Sequence, residues 1–256
     1  MTVKKIIPCL DIKDGQVVKG VNFVNLEKIG QPETLAKFYD QNGADELVFL
    51  DISKTEDGHE LLLDLIKSTA EEIKIPLTVG GGIQTLEDIE KILKAGADKV
   101  SINSAAVSNP EFIQKAVEQF TSEKIVIAVD MKFDENNKDY YVYTHGGNKK
   151  VDIKALDWLV KCERLGCGSL LITSLDHDGV KEGFDLPFLK EAADTVSIPI
   201  IASGGAGKTE DFLELFTKTK VAAGLAASIF HRKEVDIRDL KNTLSNKGIE
   251  VEMNGS

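Results

Sequence analysis

Ile75-Pro-Leu-Thr-Val-Gly-Gly-Gly-Ile83 and Ile198-Pro-Ile-Ile-Ala-Ser-Gly-Gly-Ala206 are two versions of one passage, 123 residues apart. Each is a short apolar run that enters from a proline and breaks at a glycine pair, Gly81-Gly82 in one and Gly204-Gly205 in the other. Glu87-Asp88 matches Glu210-Asp211 at the same offset. Ile6-Ile-Pro-Cys-Leu-Asp-Ile-Lys13 resembles Ile125-Val-Ile-Ala-Val-Asp-Met-Lys132 at an offset of 119, which sets Asp11 against Asp130. Any two generic strand-helix units share one such likeness; four in register predict a duplicated half.

Outward from these passages, β-branched runs alternate with amphipathic stretches along the whole chain. The runs predict strands over 5–10, 47–50, 77–79, 99–102, 125–129, 170–173, 200–202 and 221–225. Helical periodicity falls at 32–41, 61–72, 86–94, 110–120, 153–165, 186–195, 210–216 and 237–245. Regular alternation implies a parallel sheet, and strands that are apolar throughout imply one buried on both faces. Eight units in 256 residues predict an α/β fold, the (β/α)8 barrel. One domain over 1–256 is expected, with half-barrels of about 1–120 and 121–256.

Composition narrows the function. The chain has 31 Lys and Arg against 42 Asp and Glu, a net charge of −11, and no long basic cluster, which argues against nucleic acid as a partner. The N-terminal apolar run stops at Asp11, too short for a signal peptide, and no stretch approaches the roughly 18 apolar residues of a membrane span. Cys9, Cys162 and Cys167 form no CxxC pair and suit a reducing compartment, so the expected location is the cytoplasm. Cys9, inside the first strand, reads as a small core residue. His59, His145, His177 and His231 lie on unrelated segments without metal-ligand spacing, so neither metal nor cofactor is expected. No nucleophile elbow stands out.

Active sites of such barrels lie where the strands end. Asp11, Asp51, Asn103, Asp130, Thr173 and Ser203 all fall there. A lone strand-end aspartate commonly caps the next loop. Duplication of Asp11 and Asp130, each after an apolar strand, instead predicts an acid/base pair facing across the mouth. Gly80-Gly-Gly82 and Gly204-Gly205 would let main-chain N–H groups approach an anion. Asn103-Ser104 and Ala227-Ser228 add hydroxyls and helix starts one strand later. Together they predict two phosphate cradles related by the repeat. Residues 10–20 read as a long first loop carrying Lys19, and 176–183 as another, with His177 exposed.

Several stretches carry a family likeness: Ile7-Pro-Cys-Leu-Asp-Ile-Lys-Asp-Gly-Gln-Val-Val-Lys-Gly20, Asp45-Glu-Leu-Val-Phe-Leu-Asp-Ile52, Thr78-Val-Gly-Gly-Gly-Ile83, Ala97-Asp-Lys-Val-Ser-Ile-Asn-Ser-Ala-Ala106, Ile201-Ala-Ser-Gly-Gly-Ala-Gly207 and Leu225-Ala-Ala-Ser-Ile-Phe-His231. They resemble the cyclase subunit of imidazole glycerol phosphate synthase from residue 5 to about 251, leaving Met253-Asn-Gly-Ser256 as a frayed tail. The resemblance implies an enzyme of histidine biosynthesis that joins ammonia from a glutaminase subunit, HisH, to phosphoribulosyl formimino aminoimidazole carboxamide ribotide. Imidazole glycerol phosphate and aminoimidazole carboxamide ribotide would be released. Asp11 and Asp130 fall on the family's acid/base pair. One phosphate site would use Gly82, Asn103 and Ser104, and the other Asp178, Gly179, Gly205, Ala227 and Ser228, with Lys19 on a closing loop.

By the same resemblance, ammonia enters at the opposite face through a ring of charges. Lys5, Glu46 and Lys99 fill three of its positions, Lys5 where arginine is usual. Ser169 stands at the fourth, where glutamate is usual, leaving two cations against one anion. Asp98 matches a contact to the glutaminase. Val180 replaces the usual threonine and Phe184 the usual tyrosine, each losing a hydroxyl, for about 1 kcal/mol if it only supports the loop. Rival readings are the isomerase of the preceding step, whose arginine-glycine-glycine turn is absent after Asp11, a paralogue that amidinates a nucleotide sugar, and a barrel that only activates the glutaminase.

Overall fold

A computed structural model describes residues 3–21, 24–53 and 56–253, with side chains left undescribed over 19–28 and 54–60. The side chain of Lys19 and the tail beyond Met253 therefore lie outside the described residues. In chain order the elements are β1 (Lys5–Lys13), β2 (Gln16–Val21), β3 (Val24–Gly30), α1 (Pro32–Gln41), β4 (Leu47–Asp51), α2 (Glu56–Glu72), β5 (Leu77–Gly80), α3 (Leu86–Ala95), β6 (Lys99–Ile102), α4 (Ser104–Ser108) and α5 (Glu111–Phe120). A 3-10 turn (Ser122–Lys124) leads to β7 (Ile125–Asp134), β8 (Asp139–Thr144), β9 (Lys149–Lys154), α6 (Ala155–Arg164), β10 (Ser169–Ser174), α7 (Leu186–Thr195), β11 (Ile200–Ser203), α8 (Thr209–Lys218), β12 (Ala223–Ala226), α9 (Ser228–His231) and α10 (Ile237–Asn246). The parallel strands β1, β4, β5, β6, β7, β10, β11 and β12 close into a (β/α)8 barrel. All eight predicted strands and eight predicted helices are present, with boundaries shifted by a few residues.

The chain falls into two compact units, Val3–Val100 with the segment from Ala226 onward, and Ser101–Leu225. In the first, β4 pairs with β1 (Cys9↔Val48 to Ile12↔Asp51) and with β5 (Leu47↔Leu77 to Leu50↔Gly80). Phe49, Leu47, Leu10 and Val79 are fully enclosed, as a sheet covered on both faces requires. In the second, β10 pairs with β7 (Ser169↔Val126 to Ser174↔Met131) and with β11 (Leu170↔Ile200 to Thr173↔Ser203).

Residues 10–20 are not the long loop expected from sequence. β1 continues through Lys13, turns at Asp14-Gly15, both at positive φ, and pairs antiparallel with β2, which pairs with β3. β7 does the same with β8 and β9. The turn between β7 and β8 is set by Asp134, whose Oδ1 accepts from the N–H of Asn136 and of Asn137, both at 2.9 Å.

The repeat is written in main-chain bonds as well as in letters. Ile52 N–H donates to the Ile12 carbonyl at 2.9 Å, and Leu175 N–H to the Met131 carbonyl at 2.9 Å. Asp88 Oδ2 accepts from Gln84 and Thr85 N–H before α3; Asp211 Oδ2 accepts from Gly207 and Lys208 N–H before α8. Every member of the second set lies at an offset of 119 or 123 from its counterpart. Each carboxylate satisfies donors that a helix start leaves open.

Lys241 of α10 is 1 % exposed and places Nζ 2.6 Å from Asp45 Oδ1 and 2.8 Å from the Glu252 carbonyl. Asp45 Oδ2 accepts from Ile6 N–H at 2.7 Å. One buried ion pair thus ties α10 and the C-terminal segment to the foot of β1.

Candidate active site

Within the second unit, register sets Asp130, where β7 leaves its parallel pairing, beside Thr173 and Ser203 at the ends of β10 and β11. Asp130 keeps a narrow opening to solvent but is hemmed in by protein. Loss of hydration, with the Asp178 carboxylate nearby, pushes its carboxyl up to about 7, against the pull of Asn103 Nδ2, which donates to Oδ2 at 3.0 Å. A carboxyl poised there can give or take a proton near neutral pH. Asn103 Oδ1 is buried without a partner among the described residues.

Asn103 also precedes α4, with φ −118 and ψ −88; Ala227 precedes α9 in the first unit with φ −123 and ψ −73. Neither residue caps its helix through a side chain, so the opening N–H groups of both short helices lack that satisfaction. At the far end of α9, the Tyr39 hydroxyl lies 2.6 Å from His231 Nδ1.

The glycines expected to form the cradles are backbone contacts. Gly81, at φ +97, would carry a Cβ 2.1 Å from the Asp51 carbonyl oxygen; Gly204, at φ +90, one 2.7 Å from that of Ser174. Asp51 and Ser174 are themselves 123 residues apart. A Cβ on Gly205 would meet the Gly183 carbonyl at 2.0 Å, where Gly183 N–H already donates to the Gly205 carbonyl at 2.9 Å. Gly205→Ala is therefore expected to cost at least about 2–3 kcal/mol and to loosen the 176–183 loop, read as a lower unfolding midpoint and faster amide exchange there.

That loop is tied down by main-chain bonds. Asp178 N–H donates to the Ser174 carbonyl at 2.9 Å, and Gly179 turns at φ +77. His177, read from sequence as exposed, is half-buried: Nδ1 lies 2.8 Å from the Gly183 carbonyl and Nε2 3.9 Å from Asp185 Oδ2. Asp185, buried, also accepts from Ser174 Oγ at 3.1 Å and the Tyr140 hydroxyl at 3.2 Å, and it caps α7. Sequence reasoning missed Asp185 although it stands directly before Leu186-Pro187, a helix-start signal. Val180 is 48 % exposed, whereas Phe184 is buried edge-on against Phe212, so the two lost hydroxyls fall in opposite environments.

In the first unit Asp11 ends the barrel portion of β1 and is buried, as is Asp51 at the end of β4. Asp51 Oδ1 accepts from Ser53 N–H at 2.8 Å. Gly82 and Ser228 occupy the expected loop and helix start. At the strand feet, Glu46, 3 % exposed, holds Lys5 Nζ at 2.6 Å and Lys99 Nζ at 3.0 Å from both carboxylate oxygens. Three of the four expected gate residues thus form one cluster; Ser169 opens β10 in the second unit. Asp98, exposed, uses Oδ2 to accept from Leu77 N–H at 2.8 Å.

The fold is that of a (β/α)8-barrel enzyme, and the profile of the histidine biosynthesis protein family matches residues 5–236. Among curated relatives, the imidazole glycerol phosphate synthase subunit HisF of Staphylococcus carnosus is 54 % identical over 251 residues, covering 98 % of this chain and 99 % of the relative. The proteins of the same name from Staphylococcus saprophyticus and Staphylococcus epidermidis are 54 % and 53 % identical, each over 98 % of this chain and the whole of the relative. The chain belongs to the HisF family of imidazole glycerol phosphate synthase subunits, the cyclase subunits of histidine biosynthesis. The relatives' name makes them members of a multi-subunit enzyme. Among the described residues no helix is long and apolar enough to cross a membrane.

Proposed function

We propose that this chain, as a single barrel of two equivalent half-barrels, condenses ammonia with phosphoribulosyl formimino aminoimidazole carboxamide ribotide, releasing imidazole glycerol phosphate and aminoimidazole carboxamide ribotide. Asp130 carries the reading: a carboxyl poised near neutrality at a strand end, beside an uncapped helix start. Asp11, its repeat partner, takes the complementary proton role. Ammonia adds to the ketone carbon, whose oxygen leaves as water, and the new nitrogen closes on the formimino carbon as the bond to the aminoimidazole nitrogen breaks; Asp130 protonates the departing atoms while Asp11 accepts protons from the incoming amine. Gly82, Asn103 and Ser104 hold one phosphate; Asp178, Gly179, Gly205, Ala227 and Ser228 line the other. Asp51, Thr173 and Ser203 line the floor between, and Lys19 closes over the substrate. The direct test is substrate consumption with ammonium salt at mildly alkaline pH. Turnover in wild type that disappears in Asp11→Asn and Asp130→Asn supports the assignment; an inactive wild type defeats it.

The partner is a glutaminase subunit in a cytoplasmic heterodimer, docked at the face that bears Asp98 and the Lys5–Glu46–Lys99 cluster. Because both lysines converge on one enclosed carboxylate, the cluster is a closed, self-satisfied gate. Glu46→Gln leaves two cations facing a neutral amide. Glutamine-driven turnover of the complex is expected to fall about tenfold while ammonium-driven turnover by this subunit stays within about twofold, because only the first must cross the gate. Equal losses by both routes would disprove the gate.

A further inference from the structure

We propose that His145, at the tip of the β8–β9 hairpin, is a specificity-determining ligand for the phosphate end of the substrate seated at Ser104. The inference rests on the reading of Ser104 as a phosphate residue and extends that site to a segment outside the family-derived set. The hairpin leaves β7 at the catalytic level: Asp130 pairs with Tyr143, two residues before His145. From there His145 N–H donates to Ser104 Oγ at 3.1 Å, a bond spanning 41 residues. Since the hydroxyl oxygen accepts this bond, its own proton is left to donate to an anion.

The ring is held as well as the backbone. Thr144 Oγ1, buried, lies 2.9 Å from His145 Nδ1 and 3.5 Å from the Lys149 carbonyl. When the hydroxyl donates across the shorter contact to Nδ1, the ring proton sits on Nε2, which has no protein partner among the described residues and can donate to an anion. The backbone adds a third observation. His145 sits at φ +55, followed by Gly146 at +63 and Gly147 at +79. This left-handed run turns the chain tightly at the hairpin tip and fixes where the imidazole leaves it. The cradle otherwise offers N–H groups and one hydroxyl, and Lys150 of the hairpin is committed to Asp134. An Nε2–H on the hairpin tip adds a side-chain donor at that end of the substrate.

His145→Asn decides the matter, because asparagine tolerates positive φ and removes the ring. With saturating ammonium, the variant should raise KM for the bisphosphorylated substrate about tenfold and keep kcat within about twofold, at an unchanged unfolding midpoint. Inorganic phosphate, titrated by 31P NMR, should bind the variant correspondingly more weakly. Thr144→Val, which frees the ring, should give an intermediate KM. An active wild type with KM and phosphate affinity unmoved in His145→Asn overturns the inference and leaves the function standing, as does a loss confined to kcat. An inactive wild type overturns the proposed function, and the phosphate titration then decides His145 alone.

Discussion

Asp130→Asn is expected to abolish turnover by at least about a thousandfold while making the protein more stable at neutral and alkaline pH. Both effects come from one cause. In the folded chain the carboxyl keeps its proton up to about pH 7, because ionising it means charging an enclosed group beside Asp178. Unfolded, it loses that proton near pH 4. Between those values the folded state binds more protons, so this group's contribution to stability is complete below about pH 4 and disappears as pH rises through 7. The span corresponds to up to about 4 kcal/mol. An amide never ionises, so the variant's unfolding midpoint should match wild type at pH 4 and exceed it at pH 8. Melting curves across that range check the prediction independently of any assay. A variant no more stable at pH 8 would mean that Asp130 is ionised and compensated in the folded protein, and its role as a proton donor would fall.

Lys241→Met should be the most destabilising single change outside the barrel mouth, at about 3–5 kcal/mol. The lysine is buried and donates to Asp45 Oδ1 and to the Glu252 carbonyl. Methionine fills the volume but leaves Asp45 enclosed, with Ile6 N–H still donating to Oδ2. Burial already pushes the Asp45 carboxyl up, and Lys241 is the chief influence pulling it down. Without the lysine the carboxyl must take a proton or expose itself. The variant should therefore recover part of its deficit as pH falls from 8 to 5, a direction opposite to ordinary acid destabilisation. Asp45→Asn in the Lys241→Met background removes the uncompensated charge and should restore most of the loss. Denaturant titrations of the two variants at both pH values separate this account from a simple packing defect, which would be pH-independent and unrelieved by the second change.

The parallel strands and their helices were readable because burial on both faces forces continuous apolar runs, and the intervening helices need one apolar stripe. The strand positions of Asp11 and Asp130 were readable because duplication marked them. The antiparallel extensions were not. β2 and β3 carry lysine, glutamate and asparagine, and β9 is Lys-Lys-Val-Asp-Ile-Lys, with little alternation to distinguish a rim strand from a loop. Asn136-Asn137 did hold a turn signal, as did the alternation in Asp139–Thr144. The short helices α4 and α9 span five and four residues, too few for helical periodicity to register. His145, Asp185 and the Asp45–Lys241 pair were hidden because their partners lie 41, 45 and 196 residues away, and pairings at such distances exist only once the chain has folded.

Glu46 and Ser169 lie 123 residues apart, and the bonds beside them correspond: Leu47 N–H donates to the Pro76 carbonyl, and Leu170 N–H to the Pro199 carbonyl. They are matching places in the repeat. One holds an acid that gathers two lysines; the other holds a serine with no charge to offer. Asp11 and Asp130, at matching strand positions, are alike in charge, and under the proposed function they divide the proton transfers between them. The repeat thus fixes the frame of a position and leaves its charge to be set separately in each half.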